Sequence, residues 1–315
     1  MLDITLTNFE RDVIDASMQQ PVLLDIWAPW CGPCKALGPV LEKLESAYGG
    51  RFALTKLNSD EQPEIAGQLS QMFGVRSIPF CVLFKQGQPV DGFVGALPEG
   101  EVRQFLDKHV PSEQEHAGRE DASEAHELLQ SGRVEDAIER LKQALALDPD
   151  NDAARADFLR ALLGAGRIAE AEQAFRPIAG RSEAPGEELA ACALWLQACK
   201  AASGESDDDL LARIRANARD LDARFRFAQL QFARGRFTDA LDQLLEILMR
   251  EKQWRDGLAR RNFLAALQLL RLAEQQASST AETSDTQSGF VTQTSRPARQ
   301  SIADTYHRRL SMTLF

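Results

Sequence analysis

The stretch Asp25-Ile26-Trp27-Ala28-Pro29-Trp30-Cys31-Gly32-Pro33-Cys34-Lys35 decides how the N-terminal part of this chain folds. Upstream lies the apolar run Val22-Leu23-Leu24, which predicts a buried strand. Downstream, Leu37, Val40, Leu41, Leu44 and Tyr48 recur at the 3.6-residue spacing of a helix. Two cysteines therefore fall where a strand turns into a helix. Cys31 is placed at or just before the helix N-terminus, where unpaired backbone N–H groups and the helix dipole favour negative charge. A thiolate is stabilised there, and the thiolate is the reactive form of cysteine. Cys34, one turn into the helix, is near enough to close a disulfide with Cys31.

With 315 residues, 44% of them hydrophobic, the chain is long enough for two packed domains. Its net charge of −11 argues against nucleic-acid binding and fits a soluble protein. Met1-Leu2-Asp3-Ile4-Thr5 has no basic start and no apolar stretch, so no signal peptide is expected. No run approaches the ~18 apolar residues of a membrane span. Five cysteines, with Cys81, Cys192 and Cys199 scattered, suit one redox pair in a reducing cytoplasm rather than a secreted disulfide framework. A zinc site would need a second C-x-x-C or histidines at matching spacing; neither accompanies this pair, so no metal is expected.

Residues 1–110 predict an α/β sandwich around a mixed sheet. Ile4 to Leu6 reads as a short edge strand, and Phe9 to Met18 as an amphipathic helix started by Thr7 or Asn8. Val22–Trp27, Phe52–Leu57, Phe80–Phe84 and Val90–Val94 read as strands, and Pro63–Phe73 and Pro98–His109 as helices. The quoted stretch, Lys56-Leu57-Asn58, Phe73-Gly74-Val75-Arg76-Ser77-Ile78-Pro79, Phe84-Lys85-Gln86-Gly87 and Val94-Gly95-Ala96-Leu97 resemble thioredoxin in order and spacing. The resemblance implies that Cys31 attacks, Cys34 resolves, and Asp25 takes the Cys34 proton, with Lys56 as the charge partner of Asp25. It also implies that Pro79 is a cis-proline presenting Ser77 and Ile78 to an extended substrate, and that Trp30 edges the same groove. Against these roles stand ordinary ones: Asp25 as a solvent-facing strand end, Lys56 as a surface lysine, Trp30 as packing. Cys81, two residues past Pro79, reads as a small buried hydrophobe rather than a third redox thiol.

Residues 111–119 read as a charged, Pro-led linker, and 120–276 as helical repeats. Gly132-Arg133-Val134-Glu135-Asp136-Ala137, Gly166-Arg167-Ile168-Ala169-Glu170-Ala171 and Gly235-Arg236-Phe237-Thr238-Asp239-Ala240 share one pattern; the first two glycines lie 34 residues apart and the third 69 further on. That is the tetratricopeptide period, with Gly-Arg in the turn between two helices and the alanine packed between them. Helix pairs are expected near 120–148, 152–180, 187–220 and 222–252, followed by a helix near 257–276. Such an array folds as a unit and offers a concave protein-binding face. Cys192 and Cys199, seven apart on one helix face, read as core.

Residues 278–295 hold ten Ser or Thr in eighteen, so 277–297 is expected as a disordered tether. In 298–315, Ile302, Tyr306, Leu310 and Leu314 draw one apolar helix stripe. This helix either docks back on the last repeat or is presented to a partner. A thioredoxin-like domain, tetratricopeptide-like repeats and the tail Tyr306-His307-Arg308-Arg309-Leu310 together resemble the bacterial chaperedoxin family. The resemblance implies a redox-active co-chaperone that holds unfolding or oxidised clients and transfers them to the GroEL chaperonin. The chaperonin contact would lie at Tyr306, Arg308, Arg309, Leu310, Leu314 and Phe315. It implies a cytoplasmic protein with thioredoxin reductase as a further partner and no cofactor beyond the dithiol. The alternative is a dedicated protein-disulfide reductase whose repeats recruit one substrate.

Overall fold

The computed structural model describes residues 2–181, 186–202, 206–285 and 301–314, with side chains at 279–285 and 314 outside the description. Two compact units divide the chain, Met1–His116 and Ala117–Phe315.

The first unit is a five-stranded sheet in the order β1-β3-β2-β4-β5. Its strands are β1 Leu2–Asp3, β2 Val22–Trp27, β3 Ala53–Asn58, β4 Phe80–Lys85 and β5 Gln88–Val94. β1, β3 and β2 run parallel; β4 is antiparallel to both β2 and β5. Side chains alternate across the pleat. Val22, Leu24, Ile26, Phe80, Val82 and Phe84 pack on one face with residues of α2, Pro63–Phe73. Leu23, Cys81 and Leu83 pack on the other face beneath α1, Gly32–Tyr48, and α3, Glu99–His109. Pro39 lies inside α1.

The edge strand differs from the expected Ile4–Leu6. Asn8 Oδ1 accepts from the Thr5 backbone N–H at 2.7 Å, which turns the chain, so pairing with β3 is confined to Leu2–Asp3 and one further bond from Ile4 N–H to Lys56 O. That side chain is thereby used in a turn and does not start the next helix. From Glu10 to Met18 the helical turns are first wide and then tight.

The second unit is all helical where it is described: α4 Glu113–Gln130, α5 Val134–Leu147, α6 Asp152–Gly164, α7 Ile168–Phe175, α8 Glu187–Ala201, α9 Asp207–Ala216, α10 Leu221–Ala233, α11 Phe237–Arg250, α12 Trp254–Asp285 and α13 Ile302–Leu314. The expected linker 111–119 is helical from Glu113, and the division between the units falls inside α4. Of the expected tether 277–297, residues 277–285 belong to α12 and 286–297 lie outside the described residues. Arg255, Asp256 and Gly257 have left-handed backbones, so regular helix in α12 resumes at Leu258.

Three turns use one device. Gly132, Gly166 and Gly235 have φ of 77°, 73° and 71°, a region only glycine enters without strain. Each following arginine N–H reaches back to a carbonyl of the preceding helix: Arg133 to Leu128 at 2.9 Å, Arg167 to Leu162 at 2.8 Å, Arg236 to Gln231 at 2.9 Å. These are Schellman caps, which satisfy carbonyls that a helix end leaves unpaired. Ala137, Ala171 and Ala240 are fully buried behind them. Two repeats also share a buried arginine. Arg155 donates to Pro149 O and Ala174 O, and Arg224 donates to Ala218 O and Gln243 Oε1. Among the described residues no helix is long and apolar enough to cross a membrane.

Candidate functional site

Cys31 is the N-cap of α1, with an extended backbone (φ −79°, ψ 102°), and its Sγ accepts from the Cys34 backbone N–H at 3.2 Å. Pro33 in the first turn suits a position whose missing N–H is not needed. Cys31 and Cys34 are joined as a disulfide, with Cα atoms 5.3 Å apart. Both are nearly covered, at 3% exposure, and pack with Ala28, Trp27 and Ile78. The Ile78–Pro79 bond is cis, and it sets Ile78 against the sulfurs with Ser77 exposed beside it. Trp30 is 70% exposed and donates through Nε1 to Asp60 at 2.9 Å. The ring is therefore held by a hydrogen bond and presented at the surface rather than packed.

Asp25 lies in the middle of β2 and is 4% exposed, not at a solvent-facing strand end. It continues the Leu23 side of the strand, the face that α1 covers. Burial pushes its carboxyl up to about 6; a hydrogen bond from Cys81 and the charge of Lys56 pull it back. Lys56 stands directly opposite Asp25 in the β2–β3 register. Its ammonium, however, sits 3.5 Å from Asp3 Oδ1 and over the Trp27 ring, so it acts on Asp25 through space rather than as its ion-pair partner.

Cys81 is fully buried among the residues under α1 and α3, as the reading of a small hydrophobe implies. It also has a polar partner that the sequence reading missed: its Sγ lies 3.6 Å from Asp25 Oδ1. No local signal in the sequence marks this contact; the antiparallel register of β2 and β4 seats Cys81 beside Asp25. Burial, with the Asp25 charge adding to it, holds this thiol well above the ordinary range. In the second unit, burial pushes Cys192 up to about 12 and Cys199 up to about 11. Their sulfurs rest on the carbonyls of Ala156 at 3.7 Å and Ala233 at 3.4 Å.

The C-terminal helix α13 docks on its own unit. Glu274 of α12 accepts from Ser301 Oγ at 2.6 Å and from the Ile302 N–H at 2.8 Å, so a carboxylate caps its start. Tyr306 donates to Asp242 Oδ1 at 2.9 Å, and Arg309 reaches the same oxygen at 3.1 Å. Tyr306 and Leu310 are buried in the repeat core. Three residues expected at a chaperonin contact thus face α11 and α12, while Arg308 and Met312 point outward. The Leu314 side chain and Phe315 lie outside the described residues. A cavity of about 460 Å³ in the repeat unit is lined by Leu129, Val134, Arg160, Trp195, Phe237 and Leu269, among others.

A disulfide closed across the first turn of a helix, in a unit whose central strand buries an acid, makes the first unit a redox-active dithiol protein. The thioredoxin family model matches residues 1–108. Thioredoxin 1 of Nostoc sp. is 43% identical over 107 residues, which are 34% of this chain and 94% of that protein. Thioredoxin of Chlorobaculum thiosulfatiphilum is 44% identical over 108 residues, 34% of this chain and 94% of that protein. Thioredoxin of Haemophilus influenzae is 42% identical over 110 residues, 35% of this chain and 97% of that protein. The chain belongs to the thioredoxin family. Two tetratricopeptide-repeat models match residues 128–185 and 200–281, so it is a thioredoxin–tetratricopeptide fusion, the domain order of the chaperedoxins.

Proposed function

We propose that this protein is a redox co-chaperone: it exchanges thiols with oxidised clients at Cys31–Cys34, holds unfolding clients on its repeats and passes them to the GroEL chaperonin. The observation that carries this reading is a dithiol at a helix N-cap in the same chain as a repeat array with an apolar cavity. In the reduced protein, the Cys31 thiolate attacks one sulfur of a client disulfide; that S–S bond breaks and the released client thiolate takes a proton. Cys34 then loses its proton to Asp25, and its thiolate attacks Cys31. The mixed disulfide breaks, the second client thiolate is released and protonated, and the Cys31–Cys34 disulfide forms. The client is reduced by two electrons and the dithiol oxidised by two. Ser77 and Ile78, set by cis-Pro79, and the exposed Trp30 form the client groove, in which an extended peptide pairs with backbone. Thioredoxin reductase is the proposed electron donor and the cytoplasm the proposed compartment.

The trapped side of Cys192 and Cys199 leaves holding to packing rather than thiol chemistry, with Trp195, Phe237 and Val134 as the apolar contact in the cavity. Chaperonin contact would use the outward side of α13, at Arg308 and Met312, because Tyr306, Arg309 and Leu310 are engaged on α11 and α12.

That engagement also favours a second reading, a dedicated protein-disulfide reductase whose repeats recruit one substrate. Three assays separate them: insulin reduction and suppression of aggregation of a denatured client, each with wild type and Cys31→Ser, and capture of GroEL. Aggregation suppression retained in Cys31→Ser, together with capture of GroEL that fails after deletion from Pro297 onward, supports the co-chaperone. Insulin reduction without aggregation suppression in either redox state leaves only the reductase.

A further inference from the structure

The centre of the sheet contains a polar pair that packing does not require. Asp25 on β2 and Cys81 on β4 are register partners, 4% and 0% exposed, on the face covered by α1 and α3. The next pair on that face, Leu23 and Leu83, is purely apolar. A leucine or valine would fill the Cys81 position without donating to anything. Instead Sγ stands 3.6 Å from Asp25 Oδ1, within reach of a hydrogen bond from sulfur.

Three further elements, β3, α1 and α3, bring side chains to this face. From β3, Lys56 stands opposite, with its ammonium drawn to Asp3. From α1, Cys34 lies in the first turn and does not titrate while the disulfide is closed; Tyr48, in its last turn, donates to Asp107 of α3. From α3, Val102 and Leu106 face the sheet without a titratable group. Cys81 is thus the one donor that the structure records on the Asp25 carboxylate. Because burial and the neighbouring charge hold the thiol far above its ordinary range, it stays a donor throughout the working pH range.

We propose that Cys81 is a positioning residue of the exchange reaction: its S–H donates to Asp25 Oδ1, orients the carboxylate, and leaves Oδ2 to take the Cys34 proton. This rests on the reading of Asp25 as the proton acceptor. Cys81 is neither oxidised nor deprotonated in any step. The proton that moves is that of Cys34, and the electrons pass only between the dithiol and the client disulfide. The hydrogen bond favours the ionised carboxylate, so it keeps Asp25 able to accept at lower pH than burial alone would permit.

The test uses the full-length chain labelled with ¹³C, with Cys81→Val and Cys81→Ser. Two quantities are followed against pH: the titration midpoint of the Asp25 carboxyl carbon in the oxidised protein, and the acid limb of insulin reduction by the reduced protein. Cys81→Val is expected to move the midpoint up by about 0.5–1 unit, and the limb with it. Cys81→Ser, which keeps a donor, is expected to hold both within about 0.3 unit of wild type. If Cys81→Val does not fold, Cys81→Ala gives the same reading. An unmoved midpoint in a folded variant overturns the proposal while leaving Asp25 as acceptor, provided Asp25→Asn abolishes the limb. A midpoint that moves under a limb that neither Cys81→Val nor Asp25→Asn alters overturns it differently: the hydrogen bond exists, but Asp25 has no part in exchange.

Discussion

The two units bury polar residues to opposite ends. In the first, one carboxyl lies under a helix with a single recorded hydrogen-bond donor, and its acidity is displaced to about 6. In the second, Arg155 and Arg224 are each tied to two acceptors at corresponding places in two repeats. The cysteines divide the same way. Cys31 caps a helix beside a second sulfur, whereas Cys192 and Cys199 fill space against carbonyls. Residue type is common to both units; the environment decides which groups can react. Arg155 keeps one buried nitrogen, Nε, without a partner, so pairing alone does not separate the units; what does is an acid with a displaced titration in the same unit as the redox pair.

The largest effect that would break this contrast lies in exchange itself. Cys31→Ser should reduce insulin turnover to background, a loss of more than about 10³-fold, because no other described thiol combines a helix N-cap with a resolving neighbour. Cys192→Ala and Cys199→Ala should leave turnover within about twofold; a larger loss would erase the distinction between the units. Next comes labelling of the native protein at pH 7. With thiols at about 12 and about 11, Cys192 and Cys199 should react with iodoacetamide at least ~100-fold more slowly than an ordinary free cysteine. Peptide mapping by mass spectrometry reads both rates beside that of Cys31 in the reduced protein.

Stability sharpens the contrast further. The Asp25 carboxyl is raised in the folded state from 3.8 to about 6, so ionisation works against folding. The penalty is absent below pH ~4, grows between pH ~4 and ~6, and is complete above. Asp25→Asn should therefore stabilise the first unit by roughly 2–3 kcal/mol at pH 7.5 and by little at pH 4. Arg155→Met should move the second unit the other way, by roughly 1–3 kcal/mol, by leaving Pro149 O and Ala174 O without their donor. Hydrogen exchange in β2 and in α6 reads the two separately. The smallest effect concerns α13. Tyr306→Phe removes the bond to Asp242 and should raise amide exchange in α13 by about fivefold, corresponding to ~1 kcal/mol.

What was legible in the sequence was local. The strand–helix turn around Cys31, the helix Pro63–Phe73 and the Gly-Arg turns each depend on residues a few positions apart, so periodicity and capping chemistry determine them. What escaped was set by register and docking. The Cys81–Asp25 bond joins residues 56 apart, and nothing near Cys81 in the chain points to a carboxylate. Lys56 stands opposite Asp25 yet its ammonium turns to Asp3, a choice made by the edge strand. The stripe Ile302, Tyr306, Leu310, Leu314 advances about 40° per step on a 3.6-residue helix. It therefore slides off the buried face: Ile302 is 51% exposed and Ala303 is buried in its place. Periodicity announces that one side of such a helix is covered. It does not name the surface that covers it.

The three matching glycine turns carry a consequence for how the repeat array fails. Each repeat is held mainly by its neighbours, so damage at an outer turn peels one hairpin away, whereas damage at an inner turn severs the stack. Gly166 occupies the middle turn of the three. A side chain there would meet no atom within 4 Å, so the harm would come entirely from its left-handed backbone. One methyl group at that point would cost about 1–2 kcal/mol, a local loosening placed where the solenoid has neighbours on both sides.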